Sequence, residues 1–189
     1  AAEVGAAAED PDLGAKTEAF RESLAAARER AGGWTLDEDG FAPAAEGMAR
    51  IYGEGRAFAG SLAPGATDEA FHEWRKRVKY HWQHARLLKL MQPEAIEPHA
   101  AAAGALAALL GEHHDLAVLR AHLADAPEGY ARADALLVVE ALIERRRIAC
   151  EDEIFEGAGA LFKEKPGALA RRWSGYWEAW RAAPLAEAA

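Results

Sequence analysis

Alanine fills 48 of the 189 positions, whereas Val, Ile and Thr together fill 13. β-Branched side chains suit a pleated sheet and Ala is the strongest helix former, so a sheet-rich fold is nearly excluded. The apolar share is 51%, and about half of it is Ala. One cysteine, Cys150, can make no internal disulfide, so a disulfide-stapled secreted scaffold is not expected. No run of about 18 apolar residues is present, so no membrane span is expected. The opening AAEVGAAAEDPDLG lacks the basic segment and apolar core of a signal peptide.

Proline and glycine punctuate the helical pattern. Residues 1–15 are small and acidic and are interrupted by Pro11 and Gly14, so a disordered tail or linker is expected there. Residues 16–185 read as one helical domain. Thr17 is placed to cap a first helix running to Ala31. A second is expected from Pro43 to about Leu62, with Gly47, Gly53 and Gly55 as weak points or close-packing positions. Thr67 is placed to cap a third, to about Met91. A fourth is expected over 98–124 and a fifth over 128–163, with Gly157 and Gly159 as breaks. A sixth opens after Pro166 and ends before Pro184. The fold class is therefore all-α, an antiparallel bundle of about six helices.

The third helix carries the strongest signal, FHEWRKRVKYHWQHARLLKL over residues 71–90. At about 100° per residue, Phe71, Trp74, Val78, Trp82, Ala85 and Leu88 share one sector. His72, Arg75, Lys76, Lys79, Gln83 and Arg86 fill the adjoining one, a stripe about 21 Å long from His72 to Arg86. The whole chain has a net charge of −9, which argues against a polyanionic partner. The average hides a local reversal: residues 71–90 carry six basic groups and one acidic group, between acidic flanks. A linear array of cations suits a linear polyanion, with Arg gripping phosphate oxygens bidentately and Lys acting as a point charge.

A second segment, Leu109–Leu119 with sequence LLGEHHDLAVL, places Gly111 inside a helix. Glycine there costs roughly 1 kcal/mol, and close approach of another backbone is the expected reason. The spacing His72-x-x-Arg75-Lys76-x-x-Lys79, followed some 30 residues later by Leu110-Gly111-Glu112-His113-His114-Asp115-Leu116, resembles the CHAD domain, the conserved-histidine α-helical domain. The likeness is clearest over 68–123 and extends over 16–182. It implies an all-helical fold of two related halves about a pseudo-twofold axis, with a basic groove between them. It also implies binding of inorganic polyphosphate at cytoplasmic granules, by a module that is not an enzyme and needs no cofactor. His72, Arg75, Lys76 and Lys79 match the family's basic face. The family usually carries the basic motif twice and this chain carries it once. It therefore reads as the C-terminal half, whose groove a second copy or a preceding half would complete. Trp82 and His114 stand where many members have basic residues.

The expected polyphosphate ligands are thus His72, Arg75, Lys76, Lys79, Arg86 and His114, with Arg21, Arg28, Arg145 and Arg146 as weaker candidates. Glu140, Glu144 and Glu151 stand within pairing distance of the Arg145–Arg147 run. Other constellations are weaker. His81 with His84, or His113 and His114 with Asp115, suggest a metal, but only one Glu-x-x-His pair, Glu69 with His72, is present. His72 would serve a phosphorelay, although the stripe exceeds what one phosphohistidine needs. A scaffold docking an acidic protein is the main alternative. Asp115 is expected to orient a basic side chain. Nucleic acid is disfavoured because Trp74 and Trp82 fall on the core side. Trp173, Tyr176, Trp177 and Trp180 at helical spacing, and Cys150, read as packing residues.

Overall fold

Helix-breaking residues set the frame, and the computed structural model, which describes residues 12–35, 40–125 and 133–183, follows them closely. The elements are α1 (Leu13–Gly32), α2 (Ala42–Ser61), α3 (Asp68–Leu88), a single 3₁₀ turn (Lys89–Met91), α4 (Pro93–Ala124), α5 (Ala133–Leu161) and α6 (Pro166–Ala182). No strand occurs among the described residues. The chain divides into two compact units, residues 1–39 with α1 and residues 40–189 with α2 to α6.

In the first unit, α1 starts at Leu13 and not at Thr17. The Thr17 hydroxyl donates to the Leu13 carbonyl (2.7 Å), a bond made inside a helix, so it does not cap. Residues 13–15 of the expected tail are therefore helical, and residues 1–11 lie outside the described residues. No residue of α1 is buried, and Leu13, Phe20 and Leu24 stand exposed.

In the second unit the expected Thr67 cap forms, its hydroxyl accepting from the Ala70 N–H (3.3 Å). Asp68 and Glu69 follow in the first turn, where acids suit the positive end of the helix. The fourth helix begins five residues earlier than expected. Pro93 takes the first position and Pro98 is carried inside the helix, giving up one backbone bond. Full burial of Ile96 between the two prolines holds that turn down. The expected start of α5 near Glu128 lies outside the described residues. Gly157 and Gly159 do not break α5.

Within the second unit, neighbouring helices run antiparallel. Along α3 and α4, His72 meets His114, Arg75 meets Gly111 and Trp82 meets Gly104. Between α2 and α6, Phe41 at the start of α2 stacks on Trp177 (5.4 Å between centroids), while Gly53 abuts Pro166. The core is one cluster. Phe71, Trp74 and Val78 of α3 are fully buried with Met48 and Tyr52 of α2, Leu106 and Leu110 of α4, Ile154 of α5, and Leu169 and Trp173 of α6. Cys150 is buried among them. The Tyr52 hydroxyl lies 3.1 Å from the carbonyls of both Leu161 and Glu164, closing the end of α5.

Two residues of the expected core sector, Trp82 and Leu88, are only partly buried. His81, and not Trp82, enters the centre of the core. His81 does not pair with His84. Its Nε2 stands 2.7 Å from His99 Nε2, beside Tyr52 and Trp173. His81 Nδ1 is buried without a partner. A lone pair is cheaper than an N–H at an unpartnered buried position, so His81 Nε2–H donates and His99 Nε2 accepts. Burial, and the neighbouring imidazole, push His81 down to about 3. Burial and Arg172 push His99 down to about 4.

Two measurements test this packing. A Cβ on Gly55 would stand 2.8 Å from the buried Phe162 ring, whereas one on Gly47 would meet nothing. Gly47→Ala should therefore stabilise by about 0.5–1 kcal/mol through helix propensity. Gly55→Ala should destabilise, because overpacking of about 1–3 kcal/mol exceeds that gain. Opposite signs in urea unfolding are the check. The histidine pair is neutral in the fold and takes up protons near pH 6.5 when unfolded. Its contribution is complete above pH 6.5 and is lost as pH falls through about 4 and then about 3, by roughly 5 kcal/mol at pH 4.5 for the two groups together. The drop in melting temperature from pH 7.5 to 4.5 should shrink in a His81→Leu, His99→Leu variant; an unchanged drop refutes the assignment.

Candidate anion-binding face

Because Phe71, Trp74 and Val78 point into the core, the adjoining sector of α3 is turned along the seam with α4. At its N-terminal end the half-buried rings of His72 and His114 face one another, 4.8 Å between centroids. They line a shallow pocket of about 300 Å³ with Asp68, Glu69, Ala117 and Val118. His72 Nδ1 is buried and unpartnered. One turn on, the Arg75 guanidinium lies over Gly111, and Arg75 Nε is buried with no hydrogen-bond partner. Lys79 is exposed and pairs with no acid among the described residues. Arg86 lies over the Trp82 ring, 5.0 Å from its centroid, and Trp82 itself packs on Gly104.

The net charge of the helix overstates the available positive charge. Lys76 is held by Glu73 three residues earlier, and that contact keeps the Glu73 carboxyl below its usual range. Arg77, which the wheel places off the stripe, pairs with Glu54 of α2. Lys89, in the 3₁₀ turn, stands 3.8 Å from Glu97, so Arg75, Lys79 and Arg86 remain, a row about 16 Å long on one face.

The weaker candidates lie on other helices, Arg21 and Arg28 on α1 and Arg145 and Arg146 on α5. Arg146 of α5 grips Glu112 of α4 with two bonds (2.6 and 2.8 Å) and Glu153 with a third (2.8 Å). These bonds raise the Arg146 pKa and lower that of Glu112. The Glu140, Glu144 and Glu151 partners foreseen for the arginine run give way in this case to Glu112 and Glu153. Arg145 stands exposed on α5 without an ion pair among the described residues. Arg21 pairs with Glu18 on the exposed surface of α1 (3.5 Å), and Arg28 stands exposed two turns along. Asp115 was expected to hold a basic side chain; it is exposed and pairs with nothing among the described residues. No three of His, Cys, Asp and Glu among the described residues are grouped to hold a metal ion. No helix among them is long and apolar enough to cross a membrane.

Gly111 answers a different need from the one its sequence suggested. A Cβ there would meet only Arg75, at 3.6 Å from Nε, an ordinary contact with a side chain and not with a backbone. Gly111→Ala should therefore be tolerated and stabilise by about 0.5–1 kcal/mol, read from thermal or urea unfolding. A loss of more than about 1 kcal/mol would restore the close-backbone explanation.

The family model for the CHAD domain matches residues 7–124. That span takes in α1 to α4, and with them both the basic row and the Gly111–Leu119 segment. No match was found among curated proteins or among solved structures. With more than half of its length under that model, the chain belongs to the CHAD domain family.

Proposed function

We propose that this chain binds inorganic polyphosphate along the α3 face and makes or breaks no bond in it. The observation that carries the proposal is the row Arg75, Lys79 and Arg86, three cations on one helical face with no acidic partner among the described residues. Membership of a family associated with polyphosphate-related proteins supports the choice of polyanion. Each cation neutralises a phosphate and releases a condensed counterion, which makes binding favourable and salt-dependent. The guanidinium of Arg75 is already half-buried and that of Arg86 is held on Trp82, so less side-chain freedom is lost on binding than for free surface arginines. His72, His114 and Lys76 supply hydrogen bonds at one end of the row. Single-stranded nucleic acid fits less well, because Trp74 is fully buried and Trp82 is occupied by Gly104 and Arg86, which leaves neither tryptophan as a platform for bases.

Three free cations make a short site. A second copy of this chain, or a preceding half of a longer one, completes the groove in this proposal, at polyphosphate granules of the cytoplasm. The test is a titration with long-chain polyphosphate, single-stranded RNA, polyglutamate and pyrophosphate at several salt concentrations. Long-chain polyphosphate should bind most tightly. Its log affinity should fall against log salt with a slope of about −2 to −3, set by three neutralised phosphates. A Lys79→Glu, Arg86→Glu variant should bind at least about tenfold more weakly. Equal affinity for RNA, or a variant that binds like the parent, overturns the proposal; preference for polyglutamate favours an acidic protein partner instead.

A further inference from the structure

Behind the histidine end of the row lies a buried polar chain that the binding face does not itself use. Glu151 of α5 is buried. One of its oxygens, Oε1, stands 3.1 Å from His113 Nε2, and the other accepts the Gly65 N–H at 2.7 Å. His113 is fully buried, and its Nδ1 has no partner. The proton therefore sits on Nε2, and His113 donates to Glu151. The His113 ring packs on Phe71, 4.2 Å between centroids.

The consequence comes from adjacency. Phe71 and His72 are neighbours on α3, and His113 and His114 are neighbours on α4. Successive residues on a helix diverge by about 100°, so the inner contact, Phe71 on His113, fixes the rotation of both helices. That rotation aims the outer pair, His72 and His114, at one another across the seam. The Gly65 bond acts in the same way from the other side. Residues 63–66 form a type II turn, with Pro64 second and Gly65 third at φ +79°, and the Ala66 N–H donating to Ala63 O. This turn leads into the Thr67 cap, so anchoring it anchors the start of α3. The Asp68 carboxylate adds a parallel tie, accepting from Arg147 of α5 (2.6 Å) and Arg120 of α4 (2.7 Å).

We infer that Glu151 is a positioning residue for the histidine end of the anion face, acting through His113 and the Gly65 turn. The inference deepens the polyphosphate proposal and rests on it for its binding consequence, while the geometric claim stands on its own. Glu151→Ala leaves His113 with a buried, orphaned N–H and is liable to unfold the unit, so the informative variant is Glu151→Gln. Gln keeps the volume but cannot accept from both neighbours: whichever way the amide faces, either the buried His113 N–H or the Gly65 N–H loses its acceptor. Ile154→Val, a fully buried change one turn along α5, controls for general loss of stability.

Two quantities are measured below the melting range of each variant: the NMR cross-peak between the His72 and His114 rings, and affinity for long-chain polyphosphate. Glu151→Gln should lose the cross-peak and bind about tenfold more weakly. Ile154→Val should keep both, even where its melting temperature falls as far. A Glu151→Gln protein that keeps the cross-peak, or that keeps the affinity of a parent that binds, overturns the inference. A parent that binds no polyphosphate defeats the functional proposal, and the cross-peak then decides the positioning alone.

Discussion

A Cβ at position 104 would stand 2.9 Å from the indole nitrogen of Trp82, closer than real side chains come. Glycine there lets α4 approach α3 near its C-terminal end. The seam between these two helices shapes the whole basic face. It buries Phe71, Trp74 and Val78, and so it decides which sector of α3 is left over. It seats Trp82 as a partly buried plate on which Arg86 rests. It also brings His114 opposite His72. The basic face is in this sense a by-product of packing: the charges stand where they do because the neighbouring residues had to be inside.

Electrostatics then selects among those charges. A sequence average of −9 and a local +5 both mislead, one by pooling distant groups and the other by ignoring partners. Glu73 takes Lys76 along the helix and Glu54 takes Arg77 across it. Around α5 the same selection runs further. Arg146 is closed off by Glu112 and Glu153, and Arg147 by Asp68 and Glu144. Exposed pairs of this kind contribute little to stability on their own. Their effect here is to offset Lys76, Arg77, Arg146 and Arg147, while Arg75, Lys79 and Arg86 keep their charge without an acidic partner among the described residues.

The helices were legible in the sequence because their signals are local. Thr67, Pro43 and Pro166 act within one turn, and the sector of Phe71, Trp74 and Val78 needs only a helical period. The departures each have a non-local cause. Pro98 sits inside α4 because burial of Ile96 outweighs one missing bond. His81 replaces Trp82 at the centre because His99, eighteen residues away, offers its imidazole a partner. On the candidate face, sequence spacing found every member of the free row and both histidines. It could not tell that Lys76 was already engaged, nor that Asp115 was not. No periodicity in α5 marks Glu151, whose part depends on a turn 86 residues earlier and a histidine 38 residues earlier.

That last dependence bears on how such a bundle keeps a defined face. Apolar packing fixes volume well but rotation poorly, since helices sliding or turning by a fraction of a residue bury nearly the same area. Ala-rich helices are especially permissive, because small side chains leave shallow ridges. Directional bonds supply what the alanines cannot. The Glu151 carboxylate satisfies one donor from α4 and one from the turn before α3, and the His81–His99 bond does the equivalent between α3 and the first turns of α4. Each places polar groups in the core, where an unpaired partner would cost about 1–3 kcal/mol. The two sit at opposite ends of α3, so a rotation that satisfied one end and not the other would leave a buried donor unpaired. The rotational setting of α3 is therefore specified twice, and with it the direction in which Arg75, Lys79 and Arg86 face.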